Sequence, residues 1–348
     1  MQTNKHNYTI DKFKFIAAIA VVLIHVTAFL ETEELATFAN YYWYRHLLNF
    51  AVPFFFATTG YLIAQQTDIV DYIQSHLSKT LVMYTALSFF YTVMDALIFI
   101  PTRLAQDNTL TQAIGQYLNT LTLTKLLNGQ IAHYHLWYLW ALFIASLILY
   151  YLVKNGLTAT QILISASGIY LIALYIISKN AHADLLANGG FPKALISLSV
   201  GYYIAQSNLK HKSGLALSIL LLLAYQRLSL SNIEWFAGES LLILAIAALM
   251  TYINQKTGHP TPLAKLANYS MEIYLFHPIL LTLYSYTTKV QPQLTIEHNG
   301  LRITLLTTIT IAASIALYPS FKRYYIDPSE KHLEPKINKL IKTLTQGK

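Results

Sequence analysis

The sequence predicts an all-α integral membrane protein, a bundle of about ten transmembrane helices with both termini cytoplasmic. Three observations carry this expectation. Of the 348 residues, 55% are hydrophobic and only 11% are charged, whereas soluble domains carry roughly 25% charged residues. The apolar residues fall into long uninterrupted blocks, as a lipid-facing exterior requires. Lys and Arg crowd the two ends of the chain. The same arithmetic excludes intrinsic disorder, collagen and a secreted disulfide scaffold. With no Cys, disulfides, thiolate metal sites, iron–sulfur clusters and a Cys nucleophile are excluded as well. A net charge of +8 points to anionic lipid rather than nucleic acid.

The apolar blocks run at about 13–30, 43–65, 80–101, 136–153, 159–178, 191–206, 214–231, 238–254, 268–288 and 301–320. Several fall short of the roughly 20 residues a span needs, so tilted or partly re-entrant helices are expected among them. The N-terminus offers Lys5, Lys12 and Lys14, the last at the mouth of the first block, and Lys322, Arg323, Lys331, Lys336, Lys339, Lys342 and Lys348 follow the final block. The positive-inside rule then puts both ends in the cytoplasm, which needs an even number of spans. The short internal loops do not discriminate. The first block also fits a cleavable signal peptide, with small residues at Val26 and Ala28; nine further blocks keep the chain polytopic either way. Residues 1–328 are expected to form one membrane domain and 329–348 a basic amphipathic cytoplasmic tail, with no internal repeat.

Two amphipathic stretches lie outside the blocks. Leu110, Ile114, Tyr117, Leu118 and Leu121 share a helical face within the outer loop 102–135. Leu333, Ile337, Leu340, Ile341 and Leu344 do so in the tail, interleaved with Lys336, Lys339 and Lys342. The tail reads as a helix on the inner membrane surface. The alternative for both is a solvent-exposed helix packed on the bundle.

Ionisable residues inside a bilayer are costly and point to function. Here they are Lys14, His25, Asp95, Glu239, Glu272 and His277, with Thr58 and Thr59 as hydroxyls. Lys14 and His25 are eleven positions apart. At about 100° per residue they return to one face, about 16 Å apart along the axis. A long anionic donor anchored at Lys14 would extend its reactive end to the His25 imidazole. The structural alternative is a snorkelling Lys14 and a helix-packing His25. Thr58-Thr59-Gly60 offers a close-packing notch with two hydroxyls. His133 and His135, two apart, diverge by about 200° on a helix, so a metal pair is not expected there. With Trp137 they form either an interfacial aromatic belt or a rim fit for sugar stacking. Pro278 frees a backbone carbonyl beside His277, and Tyr274 lies one turn before. Asp95 is expected at the depth of His25 and is a candidate to orient its imidazole. No phosphate-cradling Gly-rich loop, HExxH or GxSxG is present.

These segments, in this order, resemble the membrane acyltransferase-3 family. Ile10-Asp11-Lys12-Phe13-Lys14 through His25 looks like its opening helix. Pro53-Phe54-Phe55-Phe56 through Thr59-Gly60-Tyr61-Leu62 resembles its second-helix run. His135-Leu136-Trp137-Tyr138-Leu139 and Ile273-Tyr274-Leu275-Phe276-His277-Pro278 match later signatures. Within the family the likeness is to the membrane half of the membrane-bound serine racemases of vancomycin-resistance clusters, with their racemase half absent here. The resemblance implies transfer of an acetyl or other short acyl group from cytoplasmic acyl-CoA, as co-substrate rather than bound cofactor, to a hydroxyl of a cell-envelope glycan or lipid-linked sugar. It implies donor binding by Lys14 and Lys79 and a catalytic base at His25, in the plasma membrane. Asp95 joins His25 as a catalytic candidate on the depth argument. Thr59, His135, Trp137, Tyr274 and His277 are the candidate acceptor pocket.

The sequence also departs from the family pattern. Lys14 stands where Arg is common, which gives up bidentate phosphate recognition. Thr59 replaces Ser but keeps the hydroxyl. Leu48-Asn49-Phe50 lacks an Arg, although Arg45 lies a turn earlier. Gln74-Ser75-His76-Leu77-Ser78-Lys79 holds one Lys or Arg where the family has several. Two further readings stay open on the residues: a transporter of a serine-like solute or exporter of a surface polysaccharide, with the buried polar residues as its path, and a non-catalytic scaffold.

Overall fold

The computed structural model describes residues 6–33, 45–179, 186, 190–230, 235–291 and 299–346. Every regular element among them is helical. In chain order these are α1 (Tyr8–Glu33), α2 (Arg45–Leu48), α3 (Ala51–Ala64), α4 (Ile69–Leu104), α5 (Leu110–Asn119), α6 (Leu123–Leu127), α7 (Trp137–Lys154) and α8 (Ala159–Lys179). Then come α9 (Phe191–Gln206), α10 (Gly214–Leu230), α11 (Trp235–Gln255), α12 (Pro262–Leu266), α13 (Ser270–Val290), α14 (Asn299–Phe321) and α15 (Asp327–Gln346).

Six helical stretches among the described residues are long and apolar enough to cross a bilayer: Arg45–Ala64, Ile69–Leu104, Tyr134–Lys154, Ala159–Lys179, Gly238–Gln255 and the first part of Gly300–Gln346. Large apolar side chains stand exposed in rows along them. Phe89, Val93 and Leu97 on α4 recur every four residues, which places them on one helix face. Ile164, Leu171, Ile172 and Tyr175 crowd the open side of α8. An exposed apolar row this long fits a hydrocarbon neighbour rather than water.

Local chemistry sets several helix starts. Asp68 caps α4 by accepting from the Asp71 amide at 3.1 Å. Thr109 and Gln112 form a reciprocal capping box at α5, and Thr122 and Thr261 cap α6 and α12. Each such cap satisfies an otherwise orphaned amide. The helix carrying the expected 80–101 block is longer than its apolar core. Capped by Asp68, it runs 36 residues, Ile69–Leu104, with Pro101 inside it, about 54 Å and well beyond a 30 Å hydrocarbon layer.

The chain divides into two compact units. The first, called the α1 unit, holds residues 1–65 and 200–322; the second, the α4 unit, holds 66–199 and 323–348. In the α1 unit, α1 is the hub and packs on α2, α3, α12, α13 and α14. Phe15, Ala18, Val22 and Val26 form one buried stripe of α1 against Ile273, Leu281, Ile303 and Leu306. Gly201 on α9 meets Ala57 on α3 so closely that a Cβ there would lie 1.8 Å from the Ala57 carbonyl oxygen. The described close approach at this part of α3 therefore depends on Gly201.

In the α4 unit, α4 carries α5, α7 and α15. The helix α5 buries Ala113 and Tyr117, whose hydroxyl donates to the Thr92 carbonyl at 2.6 Å. Leu110, Ile114 and Leu118 of the face expected from the sequence stay exposed. The hydrophobic periodicity located the helix, but the tyrosine hydroxyl, with a carbonyl to reach, set which edge packs. The tail is the helix α15, and it packs on the unit: Ile337, Ile341 and Thr345 are buried.

Candidate functional site

In the α1 unit, His25 of α1 and His277 of α13 lie face to face, ring centroids 5.0 Å apart and planes inclined by 22°. His277 is fully buried and its Nδ1 lies 3.1 Å from the Ile273 carbonyl oxygen one turn back. A carbonyl only accepts, so Nδ1 carries a proton in this hydrogen bond. His25 is half-buried. Tyr274 is buried on the same helix, its ring 6.1 Å from that of His277. The stack therefore joins two segments more than 250 positions apart that the sequence identified separately.

Toward the start of α1, Lys14 lies 4.0 Å from Asp11, which also pairs with His6. Glu272, at the start of α13, interacts electrostatically with Lys14 and Lys322. Lys14 and Glu272 interact electrostatically and His25 stacks on His277, so the charges lie toward the starts of α1 and α13 and the imidazoles further along both helices. Thr59 is half-buried and its hydroxyl donates back to the Phe55 carbonyl at 3.1 Å. Its oxygen lone pairs, rather than its proton, are what remain for a ligand. Thr58 is buried, and its hydroxyl has no hydrogen-bond partner among the described residues.

In the α4 unit the remaining candidates gather around α4 and the start of α7. The expectation that His133 and His135 point apart is corrected. His133 has extended backbone (φ −157°, ψ 146°) and His135 lies in a 3-10 turn, Tyr134–Leu136, ahead of α7. Helical divergence does not apply there, and the two Nδ1 atoms meet at 2.9 Å. Tyr91, buried on α4, packs its ring 4.7 Å from His135 and 4.9 Å from His133. Burial lowers the His133 pKa from 6.5 to about 4, because a low-dielectric setting disfavours the imidazolium. Asp95, one turn after Tyr91, interacts electrostatically with Lys125, Tyr91 and Tyr117. Trp137 is held by Gly190, whose positive φ (+60°) brings its backbone against the indole; a Cβ there would lie 2.3 Å from a ring carbon. Lys79 is exposed on α4 beside His76.

Sequence reasoning passed over two residues here. Arg302 on α14 is 1% exposed, and its Nε donates to the Tyr284 hydroxyl at 3.1 Å. The signal was available, since an Arg inside an apolar block is costly. Tyr91 carried no such signal, because a Tyr among aromatics reads as packing.

The acyltransferase domain profile of the acyltransferase-3 family matches residues 7–319, nearly the whole chain. The chain belongs to the acyltransferase-3 family. An amino-acid racemase of Enterococcus faecalis is 32% identical over 181 residues, covering 50% of this chain and 22% of that protein. A serine/alanine racemase of Enterococcus gallinarum is 31% identical over 180 residues, 48% of this chain and 22% of that protein. The chain thus matches about a fifth of the length of either relative. No solved structure matches. Family membership and the apolar helices together make this an acyltransferase-family membrane protein.

Proposed function

We propose that the protein transfers a short acyl group, acetyl in the simplest case, from cytoplasmic acyl-CoA to a hydroxyl of a cell-envelope glycan or lipid-linked sugar. The observation that carries the reading is the His25–His277 stack in the interior of a membrane-acyltransferase fold. His25 takes the proton of the acceptor hydroxyl as its oxygen attacks the thioester carbonyl. The C–S bond breaks, the thiolate leaves, and the proton passes to it as free CoA. His277 backs the His25 ring and limits its rotation. Lys14, at the charged end of α1, takes donor phosphates. Thr59 and Tyr274, in the same unit as His25, contact the acceptor. The plasma membrane gives access to donor and acceptor at once.

The test is label transfer from acetyl-CoA to envelope lipids in inverted vesicles, with release of free CoA measured in parallel. Wild type transfers label, His25→Ala does not, and Lys14→Ala raises the donor KM. Wild-type vesicles that match empty ones overturn the reading.

The racemase names of the two relatives favour a second reading, a membrane domain that carries a serine-like solute. It predicts serine flux into vesicles that contain no acyl donor.

A further inference from the structure

The C-terminal helix α15 is pinned in place. A helix end leaves its last carbonyls without intrahelical partners. Here the α4 unit supplies donors for them. Lys154 Nζ donates to the Thr345 carbonyl at 2.6 Å and the Tyr150 hydroxyl donates to the same oxygen at 3.3 Å. The Tyr151 hydroxyl donates to the Leu344 carbonyl, and Gln74 of α4 donates to the Thr345 hydroxyl at 2.5 Å. With Ile337 and Ile341 buried, the helix presents its opposite face from a fixed seat.

That face carries a groove of about 360 Å³ lined by Pro335, Asn338, Lys339, Lys342, Thr343 and Gln346. Two ammonium groups, two amides and a hydroxyl line it, and no carboxylate does. The acids of α15, Asp327, Glu330 and Glu334, sit in its first turns. The helix dipole puts roughly half a negative charge at this end. The donors on Leu344 and Thr345 offset that partial charge, and two lysines outweigh the rest.

We propose that this groove on α15 is a binding site for a phosphate group, with Lys339 and Lys342 as its charged contacts and Asn338 and Thr343 as hydrogen-bonding partners. Two sources share that chemistry: the phosphates of a nucleotide-bearing acyl donor, or the headgroup of an anionic phospholipid. The donor source rests on the acyl-transfer reading; the groove itself does not.

The experiment places the full chain in phosphatidylcholine nanodiscs. These are titrated calorimetrically with adenosine 3′,5′-bisphosphate in one arm and soluble dihexanoyl phosphatidylglycerol in the other. Saturable binding in either arm is expected, weakened about fivefold by each of Lys339→Ala and Lys342→Ala and by added salt. Lys336→Ala, on the same helix but outside the groove, leaves it unchanged. Binding in the first arm identifies the donor source, and in the second the lipid. The site is overturned if neither probe binds, if both lysine variants bind like wild type, or if Lys336→Ala weakens binding equally. If groove binding survives where vesicles show no acyl transfer, the groove stands and the acyl-transfer reading falls; transfer with no groove binding gives the reverse.

Discussion

In the α1 unit, two imidazoles from helices distant in sequence lie face to face. In the α4 unit, two imidazoles only two positions apart meet edge to edge through their Nδ1 atoms. The first contact uses ring faces and leaves the nitrogen-bearing edges outside it. The second consumes one nitrogen of each ring. Stacking does not itself engage a ring nitrogen, while a ring bonded to its neighbour is fixed and its exchange of protons hindered. On the proposed acyl-transfer reading, His25 carries the chemistry, and the bonded pair His133 and His135 sets local shape.

The largest expected effect separates the two pairs directly. His25→Ala lowers acyl transfer by about 10²–10⁴-fold, with the thermal midpoint in detergent unchanged. A melting loss that accounts for the activity loss would make His25 a packing residue.

A pH series tests the second pair. The His133 pKa is depressed from 6.5 to about 4 in the folded protein, so the unfolded state binds the proton more tightly. The stability it confers is full above pH 6.5 and is lost as pH falls toward 4, in total about 3 kcal/mol. Denaturation midpoints of wild type should therefore fall across that window, and those of His133→Gln should fall less. Equal slopes for the two proteins would show that His133 is not held neutral by the fold.

His277 tests whether the stack matters beyond His25 itself. His277→Leu removes the ring that backs His25 and is expected to lower kcat by about 10²-fold, with the donor KM held, because misplacement of the base costs rate rather than binding. An unchanged kcat would reduce the stack to packing.

The smallest effect is structural and belongs to the rim of the second pair. Gly190→Ala puts a Cβ 2.3 Å from the Trp137 ring at a positive φ and is expected to cost about 1–3 kcal/mol. Trp137 fluorescence should shift with it.

Much of this was legible in the sequence, for physical reasons that differ by element. Helices α7 and α8 follow from apolar blocks that nothing interrupts. His25 and His277 stood out because an ionisable residue in such a block needs a reason, but their contact did not, since periodicity places a residue on a face without naming the partner helix. The His133–His135 bond was hidden by an assumption of helix, which the extended backbone at His133 breaks. The docking of α15 was hidden because lysines interleaved with leucines suit a membrane surface and a protein surface equally. Tyr150, Tyr151 and Lys154, which hold its last turn, read as ordinary ends of a spanning helix.

The most direct test sets the two histidine pairs side by side: the initial rate of label transfer from acetyl-CoA in vesicles carrying equal amounts of wild type, His25→Ala or His135→Ala. The account predicts that His25→Ala abolishes transfer while His135→Ala keeps kcat. Transfer that survives His25→Ala, or that vanishes in a well-folded His135→Ala, would contradict it.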